Sequence, residues 1–180
     1  MTHRCTTQET DEYYMRLALK EARLAEEAGD VPVGAILVNH TTGEIIAQGH
    51  NTREMNQTSL GHAEINVIAE ASSHLRGWRL SDCTLYVTLE PCPMCAGAIL
   101  HARIPRVVFA AADPVAGAMG SVWALHKHPI ENTHTKTECG CLEEECRDML
   151  QCFFQNRRIR MGKLTDDGED GEFSFKSCTD

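Results

Sequence analysis

CTLYVTLEPCPMCAGAILHARIPRVVFAAA, residues 83–112, contains a strand, a break, a helix and a second strand in immediate succession. Cys83 to Leu89 is rich in β-branched and aromatic residues, and Pro91 ends the run because it has no N–H to give a sheet ladder. Pro93 suits the first turn of a helix. The pattern from Pro93 to His101 reads as that helix, and its small run Ala96-Gly97-Ala98 lets it pack closely on a neighbour. Arg106 to Ala112 returns to an apolar, β-rich strand. Strands that alternate with helices argue for a central sheet covered on both faces.

Upstream, Tyr14, Leu17, Ala18, Ala22, Ala25 and Ala28 recur at steps of three and four, which predicts an amphipathic helix over 11–28 with Gly29 placed to stop it. Asp11 and Glu12 fall in its first turn, where the helix dipole favours them. Val33 to Asn39 and Glu44 to Asn51 are strand-like runs joined by the turn His40-Thr41-Thr42-Gly43, hence a hairpin. The hairpin makes the sheet mixed. A further helix is expected from His62 through Ile65, Ile68 and Ala69, and a long closing one over 142–160. No internal repeat is visible. The reading is a flexible N-terminus at 1–9, one domain over 10–163, and an acidic, disordered tail at 164–180.

The 180 residues, 42% hydrophobic and 24% charged, suit one soluble domain. Apolar runs such as Val33 to Val38 fall far short of a membrane span, and the polar N-terminus lacks the apolar core of an export signal. A cytoplasmic, reducing setting is expected, so the nine cysteines read as thiols and metal ligands rather than a disulfide framework. Cys83, Cys146 and Cys152 are expected to be buried free thiols. The net charge of -9 argues against a polyanionic partner only when taken whole. Six of the acidic residues lie in 164–180, directly after the basic cluster Arg157, Arg158, Arg160 and Lys163.

Cys92 and Cys95 stand at the start of the helix after Pro91, so both sulfurs project from one face of its first turn. The positive end of that helix favours the thiolate form that binds metal. A lone C-x-x-C is a weak signal, and there is no second pair to close a four-thiolate site. His62-Ala63-Glu64, upstream, supplies the usual nitrogen partner, and His62 with Cys92 and Cys95 leaves a fourth position on zinc for water. Two residues subtend about 200° of a regular helix. His62 is therefore expected at or before the first helical residue, with Glu64 reaching back toward the metal. Two thiolates formally cancel the charge of Zn²⁺ and weaken its effect on bound water. Glu64 supplies the missing general base and acid. The combined H-x-E and P-C-x-x-C pattern is the signature of zinc deaminases.

On these residues, together with Asp113-Pro114, Gly117-Ala118-Met119-Gly120-Ser121 and the closing LEEECRDMLQCFFQNRR, the chain resembles the tRNA-specific adenosine deaminase family, over about residues 10–163. The resemblance implies a cytidine deaminase-like α/β fold, a three-layer α/β/α sandwich with a five-stranded mixed sheet. It also implies a homodimer with one Zn²⁺ per subunit, and deamination of adenosine to inosine at the wobble position of a tRNA anticodon stem-loop. By the same resemblance Asn51 contacts the flipped base, Asp113 touches the ribose, and Arg157 and Arg158 meet phosphates. The plainer alternatives are a turn Asn, an Asp-Pro turn and a solvated helix end. Thr58-Ser59-Leu60-Gly61 departs from the Asp-Pro-Thr-Ala usual before the metal His, so the entry to that helix is expected to differ. Val115 stands where similar proteins often carry Lys, so a phosphate contact is expected to be missing.

Other features have quieter readings. Cys139-Gly140-Cys141 lacks a matching ligand pair, His126 and His128 read as exposed loop histidines, Glu90 as ordering its turn, and Trp78 and Trp123 as buried packing. Two other functions compete with RNA editing: deamination of a free nucleobase or nucleoside, and a noncatalytic zinc-stabilised interaction module.

Overall fold

The computed structural model of the protein describes residues 7–128 and 134–160. Five strands, β1 (Gly34–Asn39), β2 (Ile45–His50), β3 (Cys83–Leu89), β4 (Arg106–Ala111) and β5 (Lys136–Cys139), form one sheet in the order β2-β1-β3-β4-β5. β1 runs antiparallel to both β2 and β3, while β3, β4 and β5 are parallel. The mixed sheet is therefore the expected one.

Alternation along the strands sorts the core into two layers. Ala35, Leu37, Leu85, Val87, Val107 and Phe109 face α2 (Ala63–His74) and α3 (Pro93–His101). Ile36, Val38, Tyr86, Val108 and Ala110 face α1 (Thr7–Glu27) and Cys146 of α4 (Glu143–Arg160). A period of two on the strands meets apolar stripes on the helices, which gives the three-layer α/β/α sandwich. Among the described residues no helix is long and apolar enough to cross a membrane.

Most boundaries fall within a residue or two of the expectation. α1 is longer: it begins at Thr7, so residues 7–9, expected to be flexible, are helical. Glu9 lies in its first turn, where the dipole favours a carboxylate, and Gln8 bonds Glu12 one turn on. Gly29 follows the helix at φ +79°. Residues 1–6 and the expected tail at 164–180 lie outside the described residues.

β5 was not expected from its own sequence. Its four residues are mostly exposed, and it is held by pairing with β4 and by Arg106, whose guanidinium bonds Glu138 at 2.6 and 2.9 Å. The same guanidinium grips Asp11 of α1 at 2.7 and 2.9 Å.

Three smaller expectations are corrected. Cys83 and Cys146 are buried free thiols, but Cys152 is exposed because α4 turns that face to solvent. Trp78 and Trp123 are 55% and 48% exposed; Trp78 lies beyond α2 in the loop, where the Arg79 guanidinium stacks on its ring. His126 is half-buried rather than exposed, with Thr137 at its Nε2, and burial lowers its pKa.

Candidate active site

α2 and α3 direct their N-termini into one place on the sheet. His62 is the N-cap of α2, with extended backbone at φ -87° and ψ 144°, and Cys92 is the N-cap of α3, at φ -70° and ψ 172°. Pro93 follows Cys92 at the start of the helix, and Cys95 sits within its first turn. The extended backbone of His62 removes the 200° problem: the imidazole leaves before the helix begins, and Glu64 turns back from within it.

The Nδ1 of His62 lies 3.8 Å from the Cys92 sulfur and 3.5 Å from that of Cys95. Zinc held at about 2.3 Å from sulfur and about 2.0–2.1 Å from nitrogen in a tetrahedron sets neighbouring ligand atoms about 3.5–3.8 Å apart, so this donor set fits the ion. Among the described residues it is the one cluster of three such side chains within metal-binding reach; Cys139 and Cys141 form none. The Cys92 thiol is pulled down to about 4, chiefly by the hydrogen bond from Cys95 and then by His62, a thiolate ready for a cation.

Glu64 is buried, and desolvation raises its pKa to about 6 against the opposing pull of His62. Its carboxyl group lies in hydrogen-bonding contact with Cys95. The fourth expected residue thus stands beside the metal cluster rather than within it.

Asn51, also buried, follows β2. Its Oδ1 accepts the Ala63 N–H at 2.9 Å, so it serves the first turn of α2 in place of an N-cap side chain on His62. The loop from Thr52 to Gly61 is pinned by fully buried Asp30, whose carboxylate accepts the N–H groups of Val31, Glu54 and Met55. Gly61 explains the unusual entry to α2: a Cβ there would sit 2.7 Å from the Arg53 nitrogen and 2.8 Å from the Thr52 carbonyl carbon.

Glu90 orders its turn, as expected. Buried at 2% exposure, it accepts the N–H groups of Asp113, Met119 and Ser121 and the Ser121 hydroxyl. A Cβ on Gly117 would run into its carboxylate, so that loop needs glycine.

Asp113 accepts the N–H groups of Val115 and Ala116, an Asx turn. It also lines a cavity of about 480 Å³ with Arg158, exposed Val115, Val31, Leu89 and Phe154. Leu150, Phe154 and Arg158 are spaced by four, so one stripe of α4 forms a wall. That spacing was visible in the sequence; the opposing wall, which joins Val31 to Leu89 and Asp113, was not. Arg157 stands apart from the cavity and meets Glu54, 3.4 Å away at the surface. Glu54 was not foreseen, because only the fold brings the two together.

The cytidine and deoxycytidylate deaminase zinc-binding region matches residues 8–111, which takes in all four residues around the metal cluster but not Asp113, Arg157 or Arg158. The chain is 52% identical over 148 residues to the tRNA-specific adenosine deaminase of Bacillus subtilis, covering 82% of this chain and 91% of the relative. A structure from a study of A-to-I editing by tRNA:A34 deaminases at the wobble position of transfer RNA superposes with TM-score 0.73 at 41% identity, covering 77% of this chain and 99% of that one. A guanine deaminase from Nitrosomonas europaea superposes at TM-score 0.67 with 25% identity, covering 79% and 83%.

Proposed function

Because this chain belongs to the tRNA-specific adenosine deaminase family, within the zinc-binding cytidine and deoxycytidylate deaminases, we propose that it hydrolyses adenosine to inosine and ammonia at the wobble position of tRNA anticodons. The observation that carries the reading is the cluster of His62, Cys92 and Cys95 with buried Glu64 against it. Zinc, when bound by these three ligands, one ion per subunit, polarises the water consumed in the reaction.

Glu64 moves the protons. A carboxyl group whose pKa is raised to about 6 by burial can hold or release a proton near neutral pH, so the same group can serve in turn as base and acid. It takes one proton from water and delivers it to the adenine ring nitrogen as the hydroxide adds to the amino-bearing carbon, then takes the remaining proton of that new hydroxyl and gives it to the departing amino group. Atoms balance: water supplies the oxygen of inosine and the amino group leaves as ammonia. Asn51, with Oδ1 occupied by the Ala63 N–H, offers its Nδ2 to the flipped base.

An unpaired anticodon base is splayed out at low cost. The cavity lined by Leu89, Asp113 and Arg158, within the size of ordinary ligand pockets, is the proposed place for the parts of the RNA beyond the base. Asp113 reaches the ribose there through the carboxylate oxygen outside its Asx turn, and Arg158 and Arg157 meet phosphates. Exposed Met55, Leu60, Val122 and Trp123 support burial of apolar surface in a homodimer, which works in the cytoplasm.

The likeness to a guanine deaminase favours free-base deamination as the second reading. Incubation with an anticodon stem-loop carrying wobble adenosine, and separately with adenine, guanine, cytosine and cytidine, distinguishes them. Inosine is expected in the RNA alone; turnover of a free base with inert RNA would overturn the proposal. Light scattering is expected to give twice the chain mass.

A further inference from the structure

We propose that Asn66 is a positioning residue, which fixes the strand end bearing Asn51 to the helix bearing Glu64 so that base contact and proton carrier share one rigid frame. This rests on the reading of Asn51 as a base contact.

Asn66 lies one turn into α2, and its backbone N–H bonds the His62 carbonyl at 3.0 Å. Its side-chain Nδ2 donates to the His50 carbonyl at 2.9 Å and to the Thr52 hydroxyl at 3.1 Å. Those two acceptors stand on either side of Asn51. A carboxamide nitrogen carries two hydrogens, so one group holds both neighbours at once.

The rest of the segment is held from other directions. The Asn51 N–H bonds the Val33 carbonyl at 2.9 Å, the Thr52 N–H bonds the Gly61 carbonyl at 2.8 Å, and the His50 imidazole meets Glu21 of α1 at 2.7 Å. None of these ties residues 50–52 to the body of α2. Asn66 does, one turn past the helix start where Ala63 receives the Asn51 side chain.

The residue type supports the assignment. Asparagine is a poor residue for a helix interior, because its side chain competes for nearby backbone groups, and half-burial of its amide costs free energy unless bonded. Flanked by Ile65 and Val67, it is not there for helix propensity. With Oδ1 of Asn51 fixed at Ala63, a shift of the strand end tilts the amide plane and carries Nδ2 away from the base. Rates fall steeply with such misplacement.

The test compares Asn66→Leu and Thr52→Val, each alone and combined with Asn51→Ala, by kcat and KM on the stem-loop, zinc content and thermal unfolding. Asn66→Leu is expected to lower kcat/KM by about 10-fold or more with zinc content unchanged, and Thr52→Val by less. In the Asn51→Ala background neither is expected to lower it further, because the residue they act through is gone. If Asn66→Leu does not fold, Thr52→Val, which removes one acceptor, carries the same comparison. Equal losses with and without Asn51 would mark a merely structural role and overturn the proposal, as would wild-type kinetics in both variants. An impaired Asn51→Ala beside unimpaired Asn66→Leu and Thr52→Val sinks this inference alone; an unimpaired Asn51→Ala sinks the base contact as well.

Discussion

Burying the Glu64 carboxyl group to 4% exposure holds its pKa at about 6, which suits a group that must both take and return a proton. Glu64→Gln keeps the shape and the neighbours but cannot carry the proton. It is expected to lower kcat on the stem-loop by about 10²–10⁴ with zinc content unchanged. Unimpaired activity with fold and zinc retained would remove Glu64 from the proton transfer, whereas no turnover by the unaltered, zinc-loaded protein would instead favour a noncatalytic zinc module. Gly61 acts at the same scale through space alone. Gly61→Ala forces the backbone at Thr52 and Arg53 aside and is expected to cost about 1–3 kcal/mol in urea unfolding. Unchanged stability would mean that the loop has room to move.

Elements were legible in proportion to how much of their stability is local. β3, α3 and β4 follow from a proline at each break and from the switch between strand-like and helix-like spacing. β5 was not, since Lys136 to Cys139 is short and mostly exposed and gains its place from β4 and Arg106. The same division holds at the site. His62, Glu64, Cys92 and Cys95 could be read from spacing and chemistry, whereas Glu54 opposite Arg157, Asp30 beneath the loop and the clamp by Asn66 are contacts across the fold. Arg106 joins three elements, α1, β4 and β5, through Asp11 and Glu138. Removing one partner of a buried pair typically costs about 3–5 kcal/mol, and partial exposure here reduces that, so Arg106→Ala is expected to cost about 2–3 kcal/mol. Hydrogen exchange is expected to quicken first in β5, the edge strand. Uniform protection across the sheet would show that β4 pairing alone secures the edge.

The whole molecule carries -9, so its RNA must be met by a local patch rather than by overall charge. Arg158, which lines the cavity, is the cation proposed for that contact, and Arg157 lies 3.4 Å from Glu54 at the surface. Binding of the stem-loop is expected to weaken with salt, and Arg158→Ala to reduce the slope of log K against log salt by about 0.7. An unchanged slope would remove Arg158 from the phosphate contacts.

Fold, cluster and chemistry meet in the ligand set of one zinc ion. X-ray absorption at the zinc edge of the purified protein reads that set directly. Two sulfur atoms at about 2.3 Å and two nitrogen or oxygen atoms at about 2.0–2.1 Å are the expected result. Four sulfurs, or protein purified without zinc that fails to take it up, would contradict the account.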